Sequence, residues 1–117
     1  MKLLVTGGLG FIGSNFILKL LNENTDVKIL NVDAELDGSN PKNLQNLKNS
    51  HNYEFVKGNI VNKKFMEEQI GKCDAVVNFA AESFVDRSIS DANPFLVSNI
   101  RGAFTILDIT TKQKKRM

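Results

Sequence analysis

Hydrophobic and polar positions alternate along the chain in blocks that mark the elements one after another. Residues 2–6, Lys-Leu-Leu-Val-Thr, are short and almost wholly apolar, the pattern of a strand buried on both faces. Glycines at 7, 8, 10 and 13 follow at once. Phe11, Ile12, Phe16, Ile17, Leu20 and Leu21 then recur at helical spacing and predict a helix to about Asn24. Val27 to Val32 reads as a second apolar strand, closed by Asp33. Asn40-Pro41 is a helix start, a capping side chain followed by proline at the first helical position, and Leu44 and Leu47 face the core from that short helix. Tyr53 to Lys57 is a third strand. Asn62 caps a helix carrying Phe65, Met66 and Ile70, and Ala75 to Phe79 is a fourth strand. Asn93-Pro94 opens a last helix, running through Leu96, Ile100, Ala103, Phe104 and Leu107 to about Thr111.

Strands and helices therefore alternate strictly, which is the signature of a parallel sheet covered by helices. Right-handed crossovers give an α/β, Rossmann-like doubly wound sheet of about four strands in the order 3-2-1-4. Residues 1–117 read as a single domain, with no repeat or linker. Apolar residues at 42% and charged residues at 24% exclude disorder. No apolar run reaches the length of a membrane span, and Thr6-Gly7-Gly8 cuts the apolar start too short for a secretory signal. One cysteine, Cys73, excludes an internal disulfide and a cysteine-built zinc site, and the one histidine, His51, lies in a polar run suited to a loop. Together these features place the chain in the cytoplasm. The formal net charge of +2 is not a nucleic-acid signal, because Lys112, Lys114, Lys115 and Arg116 supply it from a basic tail and the remainder is net negative. No nucleic-acid or membrane partner is expected.

The candidate chemistry lies in residues 6–14, Thr-Gly-Gly-Leu-Gly-Phe-Ile-Gly-Ser. Gly8, Gly10 and Gly13 fit G-x-G-x-x-G, and Gly7, Gly10 and Gly13 fit G-x-x-G-x-x-G. The motif follows a strand and opens a helix, as its mechanism requires. One glycine makes the tight turn, one admits a pyrophosphate to the backbone, and one lets the helix pack on the sheet. The N–H groups and dipole of the helix start then hold phosphates. Asp33 lies twenty residues after Gly13, at the end of strand two. A carboxylate there accepts hydrogen bonds from the adenosine ribose and repels a 2′-phosphate, which favours NAD over NADP.

With these residues the chain resembles the extended short-chain dehydrogenase/reductase family along its whole length, as the N-terminal half of that fold. The segment Asn78-Phe-Ala-Ala-Glu-Ser-Phe-Val-Asp-Arg-Ser-Ile89 looks like that of the dTDP-glucose 4,6-dehydratases, as do Gly38-Ser-Asn-Pro41 and Phe55-Val-Lys-Gly58. The resemblance implies bound NAD that takes a hydride from C4 of a nucleotide-linked glucose, loss of water across C5–C6, and return of the hydride at C6. It implies that Gly7, Gly10, Phe11, Ile12 and Gly13 line the pyrophosphate and that Asp33 holds the ribose. Asn59 and Ile60 would flank the adenine, and Phe79, Ala80, Ala81 and Ser83 would lie along the nicotinamide. Asn99 would reach the cofactor from the last helix, and Ser83, Asp86 and Arg87 would lie nearest the sugar.

The sequence departs from the family pattern at several places. The family's catalytic Y-x-x-x-K pair follows the next strand, and this chain stops where that strand would begin. Its only tyrosine, Tyr53, has Lys57 four residues on, but on a strand, which sets the two side by side at the wrong end of the sheet. The elimination acids and the substrate domain are absent too, so no catalytic residue is assigned and turnover by the chain alone is not expected. Asn59 stands for the usual aspartate, Phe84 for a histidine near the sugar, and Asp37 for a tyrosine in the adenosine-side loop. Glu82 reads as a loop carboxylate paired with Arg87, and Cys73 as a small buried or loop residue and not a reactive thiol. The last helix has more apolar residues than one packed face needs. Leu96, Ile100, Ala103 and Leu107 form one stripe, with Phe95, Val97, Phe104 and Ile106 beyond it. The excess, with the family's helix-bundle homodimer, predicts self-association. Strand four, left as an apolar edge, is a second place for a partner chain, including one that supplies the catalytic half.

Overall fold

A computed structural model describes residues 1–24, 26–35, 39–47, 50–80, 97–113 and 115. Its strands are β1 (Lys2–Thr6), β2 (Lys28–Asp33), β3 (Tyr53–Lys57) and β4 (Ala75–Asn78). The helices are α1 (Phe11–Glu23), α2 (Lys63–Gly71) and α3 (Ala103–Lys112), with a 3₁₀ helix at Pro41–Leu47 and a π-helical turn at Val97–Gly102 leading into α3. All strand pairings are parallel, and the order is β3-β2-β1-β4, as the alternating pattern predicted.

Side-chain alternation along the strands divides the core in two. Leu4, Leu30, Val32 and Val76 point to one face and pack with Met66 and Ile70 of α2 and with Ile106 and Ile109 of α3. Leu3, Val5, Ile29 and Ala75 point to the other and pack with Ile17 of α1 and Leu44 of the 3₁₀ helix. Apolar strands with period-two faces can only be stable when both faces are covered, and helices cover both here. Full burial of a side chain such as Leu4 or Met66 contributes roughly 1.5–3 kcal/mol.

The helix starts follow their capping chemistry. Asn62 Oδ1 accepts from the Phe65 amide at 3.1 Å and starts α2. Asn40 Oδ1 accepts from the Lys42 amide at 3.0 Å and starts the 3₁₀ helix, whose Leu44 is buried. Cys73 is buried in the α2–α3 core, where burial pushes its thiol pKa up.

The structure decides one point that spacing left open and corrects another. On the last helix, Ile106 and Ile109 are buried against the sheet, while Ile100, Phe104 and Leu107 are 61%, 67% and 51% exposed. The stripe through Ile100 and Leu107 therefore does not face the sheet. The helix carries two apolar stripes about half a turn apart, and spacing alone does not say which the sheet takes. Tyr53 and Lys57 are not side by side: they open and close β3, opposite Ile29 and Asp33. Four residues of extended chain separate them by about 13 Å.

Candidate functional site

In a parallel sheet the C-terminal strand ends share one edge, and ligands of doubly wound folds bind beyond it. Here that edge is formed by Thr6, Asp33, Lys57 and Asn78; Thr6 is in register with Val32 on one side and Asn78 on the other, and Asp33 with Lys57. The glycine turn crosses it between β1 and α1.

The turn is built by close approaches that leave no space for side chains. Gly7 has φ +70°, the left-handed region, and a Cβ added to it would lie 2.6 Å from the backbone of Phe79 and Ala80. A Cβ on Gly13 would overlap the carbonyl oxygen of Gly7. Gly7 N donates to Val32 O at 2.9 Å and Gly10 N to Gly7 O at 3.2 Å, and Ser14 N donates to Gly10 O at 2.9 Å as α1 begins.

Gly10 differs. It is the N-cap of α1 with extended backbone (φ −76°, ψ 173°), and an added Cβ would meet only Gly7 O, at 3.4 Å. Packing within the described residues does not require glycine there. No side chain caps α1, and its first turn holds no acid. The N–H groups that any helix leaves unbonded in its first turn thus meet a bare backbone. This cradle fits the pyrophosphate of a dinucleotide: positive helix end, no competing carboxylate, and space that a side chain would fill.

Asp33, buried at the end of β2, has a structural task that spacing did not reveal. Its Oδ2 accepts from the Leu9 amide at 3.0 Å and its Oδ1 from the Glu35 amide at 2.7 Å. The carboxylate therefore ties the glycine turn to β2. Two oxygens with about four acceptor sites leave room for ribose hydroxyls as well.

Asn31 was missed. It lies in the middle of β2, fully buried, with Oδ1 accepting from the Gly8 amide at 3.0 Å and Nδ2 donating to the Tyr53 hydroxyl at 3.0 Å. A lone polar residue inside an apolar strand was the available signal, since such a group needs partners when buried. The chain Gly8–Asn31–Tyr53 spans β1, β2 and β3 beneath the turn. Burial pushes the Tyr53 phenol pKa up, opposed by the Asn31 bond and reinforced by the charge of Asp33. Replacement of Tyr53 by phenylalanine leaves the Asn31 amide unpaired and is expected to cost about 1–3 kcal/mol, read as a lower urea midpoint with unchanged slope. An unchanged midpoint would show that the pair holds nothing.

Two further anchors surround the turn. Thr6 Oγ1 donates to Asn78 Oδ1, which also accepts from the Ala80 amide at 3.1 Å, joining the ends of β1 and β4. The Leu9 carbonyl accepts from the Asn40 amide at 2.9 Å and from Asn43 Nδ2 at 3.0 Å, so the 3₁₀ helix holds the tip of the turn.

Around this centre the other candidates take various positions. Phe11 and Ile12 are 79% and 67% exposed at the start of α1. Phe79 stacks obliquely on Phe16 with ring centroids 5.2 Å apart, and Ala80 is half-buried beside Gly7. Asn59 is exposed with Oδ1 accepting from the Val61 amide at 3.1 Å, whereas the Ile60 side chain is buried in the α2 core. Asn99 lies on the π-helical turn. Ala81, Ser83, Asp86 and Arg87, with Glu82, Phe84 and Asp37, lie outside the described residues. Among the described residues there is no cluster of metal-ligating side chains, and no helix is long and apolar enough to cross a membrane.

A doubly wound parallel sheet with a glycine turn, an uncapped helix start and a carboxylate closing β2 defines a dinucleotide-binding-type fold. Residues 4–117 match the family model described as GDP-mannose 4,6 dehydratase, and the chain belongs to that family. It is 44% identical over 108 residues to the low-salt glycan biosynthesis protein Agl12 of Haloferax volcanii, covering 92% of this chain and 34% of that protein. It is 36% identical to the dTDP-glucose 4,6-dehydratase of Mycobacterium tuberculosis over 117 residues, all of this chain and 35% of that enzyme. The crystal structure of DesIV, a dTDP-glucose 4,6-dehydratase from Streptomyces venezuelae with NAD bound, superposes with a TM-score of 0.92 at 36% identity, over 98% of this chain and 37% of that one. The chain thus spans about a third of the length of the relatives it matches, less than the half expected from the sequence.

Proposed function

We propose that this chain is the NAD-holding part of a dTDP-glucose 4,6-dehydratase-type enzyme that acts on a nucleotide-linked sugar. The observation that carries this reading is Gly10: it opens a helix that no side chain caps, and it is glycine where packing among the described residues does not demand it. Phe11, Ile12 and Gly13 bind the pyrophosphate through the unbonded N–H groups of the helix start, and Gly7 and Gly10, whose own amides are engaged, leave it bare surface. Asp33 accepts from the adenosine ribose. Asn59 offers its amide to the adenine, and Ile60 contributes backbone only, since its side chain is buried. Phe79, Ala80 and Asn99 serve the nicotinamide end; the family resemblance assigns Ala81 and Ser83 to the same end, and Ser83, Asp86 and Arg87 to the sugar. When bound, the nicotinamide supplies the hydride acceptor; the residues of this chain bind and orient it. The proton-transfer pair is not among them, because Tyr53, the only tyrosine, is engaged with Asn31 beneath the turn and Lys57 with Glu35. The 117 residues alone therefore bind NAD without turning over sugar.

Isothermal titration calorimetry of NAD into the chain tests this. Micromolar binding with no dehydration of a nucleotide-linked glucose is expected. Absence of heat at millimolar NAD contradicts the reading.

A second reading concerns association. The exposed stripe of Ile100, Phe104 and Leu107 on one side of the last helix supports pairing with another chain, a second copy in the first instance. Phe104→Asp leaves the core untouched and is expected to shift sedimentation from dimer to monomer. A wild-type chain that is monomeric throughout contradicts the pairing.

A further inference from the structure

The loop that leaves β2 contains a non-glycine residue in the left-handed region. Glu35 has φ +57°, a conformation that is costly for a residue with a Cβ and persists only where neighbours fix it. Two contacts fix it. Its amide donates to Asp33 Oδ1 at 2.7 Å, and its carboxylate Oε2 lies 3.2 Å from Lys57 Nζ. Lys57 closes β3 directly opposite Asp33, one strand spacing away, or about 4.8 Å. Its side chain is 67% exposed, so the ammonium is free to move once released.

This arrangement bears on the choice between the two nicotinamide dinucleotides. If Asp33 accepts the ribose hydroxyls, the 2′ position lies within a hydrogen bond of Asp33 and within reach of both Glu35 and Lys57. A phosphate at that position carries nearly two negative charges and needs a cation. Lys57 is the cation that the fold places there, and Glu35 engages it while adding a negative charge of its own.

We infer that Glu35 is a specificity-determining residue, which keeps the site selective for NAD by holding Lys57 away from the 2′ position. The inference rests on the NAD reading above and adds to the contribution of Asp33. The Glu35–Lys57 pair is a gate on Lys57: broken, it turns a silent lysine into a phosphate ligand.

The test is calorimetry with NAD and NADP on the wild-type chain, Glu35→Gln, Lys57→Gln and the double variant. For Glu35→Gln the ratio of NADP to NAD affinity is expected to rise about three- to tenfold, the range for gaining a partly exposed charge contact and losing a repulsion. That gain should vanish in the double variant and shrink with added salt, because Lys57 delivers it. A loss of folding would lower both affinities together, so the ratio is read in variants that keep the wild-type urea midpoint, and Glu35→Ala repeats the test with a different side chain. An unchanged ratio in both Glu35 variants, or a gain that survives removal of Lys57, overturns the inference while NAD binding by the wild type upholds the cofactor reading. A wild-type chain that binds neither dinucleotide overturns both.

Discussion

Gly7→Ala is expected to destabilise the fold by more than about 3 kcal/mol. Two costs coincide at this residue. Its φ of +70° is strained for alanine, and the new methyl would lie 2.6 Å from the Phe79–Ala80 backbone, where no side chain can move aside. Relief requires β1 and the chain after β4 to separate, which breaks the Thr6–Asn78 contact and the bond from the Phe79 amide to Thr6 O at 2.9 Å. A domain of this size has a stability of about 5–15 kcal/mol in total, so a substantial fraction is lost. Thermal unfolding should fall by more than about 10 °C. A change within a degree or two would show that the turn is not held as described.

Gly10→Ala, three residues on, is expected to behave in the opposite way. Among the described residues an added methyl meets only Gly7 O, at a contact distance of 3.4 Å, and the backbone is extended as any residue allows. Stability should change by less than about 1 kcal/mol, within the range of ordinary substitutions at sites without strain. The affinity for NAD should fall by at least about a hundredfold, because the methyl stands where the pyrophosphate approaches and costs two or more charge-assisted hydrogen bonds of roughly 1.5–3 kcal/mol each. Calorimetry of binding beside a urea melt reads both quantities. A variant that binds NAD normally would remove the observation on which the functional reading stands. Together the two glycines separate folding from function within one turn.

What could be read from the residues and what could not follows from the reach of each interaction. The strand order, the glycine turn and the position of Asp33 depend on patterns local in sequence: an apolar run, a fixed glycine spacing, an acid closing the next run. The Gly8–Asn31–Tyr53 chain was not legible, because each bond joins residues 22 or 23 positions apart and nothing local marks them as partners. The added role of Asp33, tying down Leu9, is non-local in the same way. On the last helix the period was legible and the phase was not, since either of two apolar stripes satisfies a helical pattern; contact with Met66 and Ile70 decides for Ile106 and Ile109. Tyr53 and Lys57 show the converse error of spacing, four residues being one turn on a helix and most of a strand's length in a sheet.

In the proposed function the dinucleotide is received at the glycine turn by the unbonded amides that open α1, since the amides of residues 7–10 are already engaged. The most direct measurement is a titration of ¹⁵N-labelled chain with NAD, followed by amide chemical shifts. Saturable shifts are expected, largest at Phe11, Ile12 and Gly13, with smaller responses at Gly8 and Gly10, whose amides are already bonded, and at Glu35, whose amide reports on Asp33. Saturation with those amides unmoved, or no shift anywhere at millimolar NAD, would contradict it.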